Sequence, residues 1–316
     1  MTFSLSRPRN LSVEVNGDIF HNLHLFANPI DKFRPSDKEI QRALKKKKGS
    51  NLIYFGPGVH NLPNDTLFVP SGTTVYIDGG ARVYGNIFTE GAHDVNIFGR
   101  GEVHPDGRGA GVWVRRSKNV RIDGIVVSQL PIGQCDSVEL TNVKSISYYG
   151  WGDGMDVFSS SNVILDGVFC RNSDDCAAVY ASTQGFKGGS NNVLVKNATL
   201  WADVAHPINI GGHGDPNGMD TVQNVTFRNI DILDQAEKQV DYQGCLAINP
   251  GDNTLVRNIT FENIRIEDFR NGQLVNFRIS FNPKYCVSTG RGIQNVLVKD
   301  VTYNGSGENL SIIAGY

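Results

Sequence analysis

Residues 151–180 read WGDGMDVFSSSNVILDGVFCRNSDDCAAVY and contain two acidic clusters. Asp153 and Asp156 lie in a glycine-flanked segment, and Asp174 and Asp175 follow side by side after a strand-like run. The interval between the clusters matches one unit of a repeat that pervades the chain, which predicts that they stack as neighbours. Carboxylates crowded on one surface repel one another, so at least one pKa is expected to rise into the range of a general acid.

The repeat consists of a small polar residue, an aliphatic residue and then the alternation typical of a strand. Its units are spaced by about 20 to 25 residues at first and by about 30 to 37 residues later. The copies lie at residues 74–77, 94–97, 119–122, 137–140, 162–165, 192–195, 224–227, 258–261 and 295–298.

A β-rich unit of this length cannot bury its own apolar face, so neighbouring units must stack. A propeller blade requires a longer and more constant period, and a leucine-rich repeat requires helices that the pattern lacks. The sequence therefore predicts an all-β chain that forms a right-handed, single-stranded parallel β-helix over residues 51–316. The lengthening period predicts loops that grow on one side from Ser182 onward and build a cleft.

Residues 1–50 are predicted to form an N-terminal cap, because a stacked β architecture needs its open end covered. Strands are expected at residues 11–15 and 23–26 of this segment. Ser36 and Glu39 have the spacing of a capping box that opens a short helix.

Composition restricts the partners of the chain. The net charge of −2 and the pI of about 6.4 argue against a nucleic-acid or anionic-membrane partner, and the lysine run at 45–48 is expected to face solvent at the end of a helix. No apolar run is long enough to span a bilayer. The first residues lack the apolar core of a signal peptide, which fits a cytosolic protein and equally the mature form of an exported one.

The five cysteines are few, odd in number and without metal-type spacing. We expect most of them to fill the protein interior, with a Cys170–Cys176 bridge as the alternative. The residues are Cys135, Cys170, Cys176, Cys245 and Cys286.

The acidic clusters resemble the Asn-Thr-Asp-Gly-x-Asp and Asp-Asp-Cys motifs of glycoside hydrolase family 28, the polygalacturonases. The chain is also similar to the dextranases and isopullulanases of family 49, in part through residues 54–60 and 74–81. The resemblance begins at about Leu11 and is most specific between Gly152 and Gly212. It implies a pectin-lyase-like β-helix and glycosidic bond hydrolysis by a secreted or periplasmic enzyme that acts on a polysaccharide or oligosaccharide and needs no cofactor.

The resemblance also implies roles for the acids. Asp174 would protonate the leaving oxygen, while Asp153 and Asp175 would hold and activate the attacking water. Asp156 would shape the turn and the local field beside the substrate. This chemistry inverts the anomeric carbon and typically separates the carboxyls by about 6.5–9.5 Å. The alternative is structural, since acidic pairs are also common as turn-forming residues.

Two histidines compete for the Gly-His-Gly motif that follows in the family. Gly212-His213-Gly214 matches its letters, whereas Ala205-His206-Pro207 is followed by a matching strand and lies closer to one turn past Asp175. We favour His206 as the residue that orients a catalytic carboxylate. His213 would then belong to a loop at the cleft, and a structural turn histidine remains the alternative.

One departure from the family concerns the substrate. The Arg-Ile-Lys motif that binds a uronate carboxylate has no match in the strand at 243–249, and Arg278 retains only the arginine one turn later. Without cations to bind a substrate carboxylate, we expect the substrate to be a neutral, α-linked glycan bound by amides and aromatic rings. The candidate contacts are Trp151, Trp201, Asn209, Gln243, Tyr242, Asn249 and Arg278.

Other readings stay open at this point. Asp203, His206, His213 and Asp215 could be imagined as metal ligands, but their spacing matches no compact motif, so we expect no metal. A β-helical lyase or epimerase would need a basic catalytic residue and usually calcium. A non-catalytic carbohydrate-binding β-helix would show a flat acidic face without a cleft. We expect a monomer or a weak oligomer.

Overall fold

The repeats form successive turns of a parallel β-helix in the computed structural model, which describes residues 2–45, 49–279, 281–307 and 309–315. One α-helix, α1 (Asp37–Leu44), and one 3₁₀ helix (Val240–Tyr242) interrupt the strands in these ranges. The end of the lysine run, residues 46–48, lies outside the described residues. The strands are β1 (Arg9–Val15), β2 (Asp18–Ala27), β3 (Leu52–Phe55), β4 (Gly58–Phe68), β5 (Thr74–Ile77), β6 (Ala81–Glu90), β7 (His93–Gly99), β8 (Glu102–His104), β9 (Val112–Arg115), β10 (Lys118–Asp123), β11 (Val126–Val127), β12 (Ile132–Gly133), β13 (Asp136–Thr141), β14 (Lys144–Ile146), β15 (Met155–Phe158), β16 (Ser161–Asp166), β17 (Phe169–Asn172), β18 (Ala177–Tyr180), β19 (Asn191–Lys196), β20 (Thr199–Ala202), β21 (Ile208–Ile210), β22 (Thr221–Asp234), β23 (Leu246–Ile248), β24 (Leu255–Ile266), β25 (Val275–Arg278), β26 (Gly292–Tyr303) and β27 (Ile312–Ala314).

Each turn adds strands to three stacks, in which the pairings are parallel. The first stack contains β3, β5, β7, β10, β13, β16, β19 and the first halves of β22, β24 and β26. The second contains the first halves of β4 and β6, then β8, β11, β14, β17 and β20, and the second halves of β22, β24 and β26. The third contains the second halves of β4 and β6, then β9, β12, β15, β18, β21, β23, β25 and β27. The predicted parallel β-helix is confirmed.

The aliphatic residue of each repeat forms a column in the core of the first stack. Val120 pairs with Val138, Val138 with Val163, and Val163 with Val193, and all four side chains are buried. Burial of one such residue per turn supplies the hydrophobic driving force for stacking.

The small polar residue of each repeat turns the chain into the first stack. Asn162, Asn192 and Asn258 have φ values of 57°, 56° and 57°, in the left-handed region that asparagine tolerates better than most residues. Their side chains bond from turn to turn: Asn192 Nδ2 donates to Asn162 Oδ1 at 2.7 Å, and Asn258 Nδ2 donates to Asn224 Oδ1 at 3.0 Å. The recurring asparagine is therefore a turn residue.

The N-terminal segment is divided between two positions. The Ser36 capping box with Glu39 is present as predicted, and α1 packs beside β3, in the first turn. The antiparallel β1–β2 hairpin, which was expected to cover the open end, instead packs against the flank of the solenoid. There Arg171 Nη1 donates to Asn22 Oδ1 at 2.8 Å, and the His24 ring lies 5.2 Å from that of Phe169.

The five cysteines are free and buried, so the interior role that we predicted for them is confirmed and Cys170 and Cys176 are not bridged. None of the helices in the described part of the chain has the length and apolar character needed to cross a membrane.

Replacing Asn192 by alanine should lower the free energy of unfolding by about 1–3 kcal/mol. The left-handed backbone costs alanine about 1–2 kcal/mol and the bond to Asn162 is lost as well. Asn192→Gly loses the same bond but tolerates the backbone, so its loss should be smaller. Chemical denaturation of the two variants measures the difference, and equal losses would contradict the role assigned to the backbone.

Candidate active site

A cavity of about 660 Å³ lies over the third stack, where β15, β18 and β21 run side by side. Its walls are the loops that enter these strands and the loops that leave them. The lengthening of the repeat therefore enlarges loops on both edges of the stack, whereas the sequence predicted growth on one side. The predicted residues that line the cavity are Trp151, Asp153, Asp156, Asp174, Asp175, His206, Asn209, His213 and Tyr242.

Three carboxylates meet at the floor of this cavity. Asp153 precedes β15, and Asp174 and Asp175 precede β18 in the next turn. One oxygen atom from each of the three lies within 4.8 Å of the others. This approach follows from the strand spacing, because adjacent strands of a sheet are only about 4.8 Å apart.

The glycines that flank Asp153 permit this close approach. A Cβ atom at Gly154 would lie 2.2 Å from the carbonyl oxygen of Cys176, and one at Gly152 would lie 2.3 Å from Ser173 Oγ. The backbone of Gly154 donates to the Asp175 carbonyl oxygen at 2.7 Å, which joins the two acidic segments.

Asp175 is held as an ionised carboxylate by four hydrogen bonds. His206 donates to Oδ1 from Nδ1 at 2.6 Å and from its backbone amide at 3.0 Å. Asn209 Nδ2 and the Tyr180 hydroxyl donate to Oδ2 at 2.8 Å and 2.6 Å. Burial acts to raise the pKa of Asp175, but the charge of His206 and these bonds outweigh it and lower the pKa to about 2.

His206 is the charged partner of this pair. Its Nε2 faces the carbonyl oxygen of Tyr242 while Nδ1 faces Asp175, so both ring nitrogens must donate and the ring is an imidazolium. Burial acts to lower the pKa of His206, and Asp175 raises it to about 9. The geometry thus favours His206 over His213, whose ring stands edge-on to Tyr180 at 5.0 Å.

The other acids of the cavity retain protons more readily. Burial, together with the charge of Asp175, raises the pKa of Asp174 to about 7. Burial and then the charges of Asp174 and Asp175 raise the pKa of Asp153 well above its usual value. Burial and then the charges of Asp153 and Asp175 raise the pKa of Asp156, whose buried Oδ1 has no hydrogen-bond partner in the described residues. At neutral pH, Asp153 and Asp174 together hold at least one proton.

The structure corrects four predicted contacts, all of which lie outside the lining of the cavity. Trp201 is 2% exposed and lies under the N-terminal hairpin, with the Arg171 guanidinium 4.1 Å from its ring. Arg278 pairs with Asp241.

The other two corrected residues are buried and form hydrogen bonds within the protein. Gln243 is 6% exposed and donates to Asn271 Oδ1 at 3.0 Å, and Asn249 is 2% exposed and donates to Asn209 Oδ1 at 3.5 Å. Both amide nitrogens are therefore bonded within the protein, whereas Asn249 Oδ1 has no hydrogen-bond partner in the described residues.

Metal-binding groups are arranged differently from the set considered in the sequence. Asp203 pairs with Arg171 and Arg270, and Asp215 pairs with Lys187, so these acids do not converge on the histidines. Asp153, Asp174 and Asp175 could offer oxygen ligands to a divalent cation. The raised pKa values of Asp153 and Asp174 favour at least one proton between them at neutral pH.

Several lining residues were missed because they carry no motif. Tyr180 follows Asp175 by five positions in the segment quoted at the outset, and its place opposite Oδ2 depends on the register of β18. Glu237 and Gln239 come from the loop between β22 and β23. Lys284 and Tyr285 come from the loop between β25 and β26.

Comparison with known proteins assigns the family. A family profile described as "Glycosyl hydrolases family 28" matches residues 102–313, which include every acid of the cavity floor. The chain belongs to this family. A polygalacturonase of Juniperus ashei is 26% identical in an alignment 295 positions long, which covers 83% of this chain and 54% of the relative. An exopolygalacturonase of Cochliobolus carbonum is 24% identical in an alignment 246 positions long, which covers 67% of this chain and 52% of the relative.

The solved structure of a family 28 exopolygalacturonase from Yersinia enterocolitica has the same fold. Its TM-score is 0.69 at 16% sequence identity, with 93% of this chain and 69% of that chain covered. The family 28 chain described here spans about half the length of the Juniperus and Cochliobolus relatives.

Proposed function

We propose that this family 28 protein hydrolyses α-linked glycosidic bonds in a polysaccharide or oligosaccharide. The observation that carries the proposal is that three adjoining carboxyls differ in how readily they hold a proton. Asp175 is fixed as an anion by His206, and Asp153 and Asp174 share raised pKa values beside it. Carboxyls held in different protonation states are the requirement for acid–base hydrolysis of a glycoside.

In this proposal Asp174 is the general acid. Asp175 N donates to Asp174 Oδ1 at 3.0 Å, which leaves Oδ2 to carry the proton into the cavity. The glycosidic C–O bond breaks as a water oxygen bonds to the anomeric carbon. In the form that reacts, Asp174 carries the proton that the two acids share and Asp153 is ionised. Asp174 gives its proton to the leaving oxygen, and the Asp153 carboxylate accepts the proton that the water loses.

Asp175 is a weaker base than the resemblance implied. A carboxylate with a pKa of about 2 has little affinity for a proton, so we assign proton acceptance to Asp153 alone. Asp175 is assigned the remaining part of its expected role, which is to hold the water and supply a fixed negative charge.

The substrate proposal is a neutral sugar at the point of cleavage. Asp153, Asp156, Asp174 and Asp175 crowd this part of the cavity, so a carboxylate on the same sugar would be repelled. β23 offers no cation, as its residues are Leu246, Ala247 and Ile248.

An enzyme that degrades polysaccharide meets its substrate outside the cytoplasm, so we propose a secreted or periplasmic location. A monomer or weak oligomer suffices, because the carboxyls and His206 belong to one chain.

The Asp174→Asn variant should lose about 10²–10⁴-fold in kcat on a glycan, because the leaving oxygen is no longer protonated. On an aryl glycoside with a good leaving group, which needs no acid, the loss should be much smaller. Asp153→Asn should lose activity on both substrates. Reducing-end and chromophore-release assays measure this, with Asp166→Asn, an acid on the outer face of β16, as the control. Equal losses for Asp174→Asn on both substrates would contradict its role.

The value of kcat/KM should fall as pH rises through about 7, because the Asp174 carboxyl must be protonated to act and its pKa is raised to about 7. A single titrating group gives a tenfold loss per pH unit on that limb. A pH–rate profile of the unmodified enzyme tests this, and a rate that stays constant between pH 7 and 9 would remove Asp174 as the acid.

The first sugar released should have the inverted anomeric configuration, since direct attack by water forms no covalent intermediate. Proton NMR of the reaction in its first minutes distinguishes the two anomers before they equilibrate. An initial product of retained configuration would require one of the carboxylates to act as a nucleophile.

A further inference from the structure

A strained turn carries His206 to the carboxylates of the cavity. The turn, residues 203–205, follows β20 and leads directly into the histidine. Ala205 has a φ of +66°, in the left-handed region that residues with a Cβ atom disfavour. His206 places both its backbone amide and its ring Nδ1 on Asp175 Oδ1. The direction in which the chain leaves this turn therefore decides whether both bonds to Asp175 can form.

The backbone on the two sides of His206 is held in different ways. On the far side of the turn, the amide of Cys176 donates to the carbonyl oxygen of His206 at 2.8 Å, as part of the pairing between neighbouring turns. Within the turn, an isolated β-bridge joins Ala205 to Ala236, and charged side chains hold Asp203. The approach of the chain to His206 therefore depends on what fixes Asp203.

Arg270 binds both the backbone and the side chain of Asp203 from two turns farther along the solenoid. Its Nη2 donates to the Asp203 carbonyl oxygen at 3.2 Å and to Oδ1 at 3.1 Å. The guanidinium is anchored by Asp234, which is 3% exposed and also accepts from the Arg270 amide at 3.1 Å. From the preceding turn, Arg171 Nε donates to Asp203 Oδ2 at 2.9 Å. Four residues from four successive turns thus form one charged cluster, which contains Arg171, Asp203, Asp234 and Arg270.

The four side chains of this charged cluster lie outside the lining of the cavity. The N-terminal hairpin contacts them instead. Arg171 Nη2 donates to the Ile19 carbonyl oxygen at 3.0 Å, and the Phe20 ring centre lies 5.3 Å from Arg270 Cζ. An effect of the charged cluster on the cavity must therefore pass through the turn and His206.

We propose that Arg270 is a positioning residue for the reaction, because by holding Asp203 it keeps His206 aligned with Asp175. The inference rests on the proposed hydrolase function and adds to it a residue that touches neither the substrate nor the reacting atoms. A guanidinium suits this role, since its rigid fork can bind a carbonyl oxygen and two carboxylates at once. Without it, Ala205 relaxes from its left-handed backbone and turns His206 away from Asp175.

Arg270→Met should lower kcat on a glycan by about 10–10²-fold, because a displaced His206 no longer fixes the carboxylate that holds the water. The value of KM should change by less than about threefold, since the lining of the cavity is kept. In an Ala205→Gly background the effect of Arg270→Met on kcat should be at least about fivefold smaller, because glycine adopts the left-handed backbone without strain. An equal effect in the two backgrounds would overturn the proposal.

Arg228→Met is the matched control, because it removes an ion pair of the same kind, with Glu262 at 2.7 Å, on the outer face of the first stack. Its kcat should equal that of the natural chain. Asp203→Asn keeps the shape of the side chain and removes its charge, so it should reproduce the loss of kcat even where Arg270→Met fails to fold.

Proton NMR of the His206 ring tests the alignment without turnover. The residue is 3% exposed and its Nδ1 donates to Asp175 at 2.6 Å, so this proton should exchange slowly and resonate downfield at neutral pH. His206→Gln assigns the resonance. Arg270→Met and Asp203→Asn should abolish it or shift it upfield, whereas Arg228→Met should leave it in place.

A resonance that is unchanged in Arg270→Met and Asp203→Asn would overturn the proposal, whatever happens to kcat. If instead the resonance depends on Arg270 but the natural chain hydrolyses no glycan, the positioning of His206 stands and the hydrolase function alone is contradicted.

Discussion

The stacking distance of parallel strands is the constraint on which this molecule depends. Neighbouring turns are about 4.8 Å apart, so any residue type repeated at the same position becomes a column. In the interior that column is valine, and at the turn it is asparagine in the left-handed conformation. Over the third stack the same distance brings Asp153 close to Asp174 and Asp175, and burial together with their charges raises the pKa of Asp153. A single spacing thus produces both the core and the electrostatics of the cavity.

The carboxyls would not form an ordered site without the imidazolium of His206. Three equivalent acids at this distance would share protons without a fixed arrangement. His206, Asn209 and the Tyr180 hydroxyl saturate Asp175, which becomes a permanent anion. That anion and the surrounding burial then raise the pKa values of Asp153 and Asp174, which hold at least one proton between them. Hydrogen bonding on one member of the cluster thus separates an anion from its protonated neighbours, although all three side chains are aspartate.

The sequence predicted the positions of residues that the repeat places, and it missed or misplaced residues whose positions depend on tertiary packing. The acids and His206 were found because they lie one turn apart in a regular pattern. Trp201 was taken for a sugar-binding residue, but the hairpin formed by β1 and β2 returns to cover it. Lys284 was missed because no periodicity connects the loop after β25 with the loop before β15.

The sequence alone determined the parallel β-helix and the stacking of the acidic clusters, because both follow from the repeat, and its resemblance to family 28 gave the preference for His206. Only the tertiary structure decided the protonation of the cluster, the burial of Gln243 and Asn249, and the approach of Lys284 to Trp151. The physical reason is that pKa values and contacts depend on desolvation and on neighbours in space, and loops of irregular length bring those neighbours together without a repeating signal.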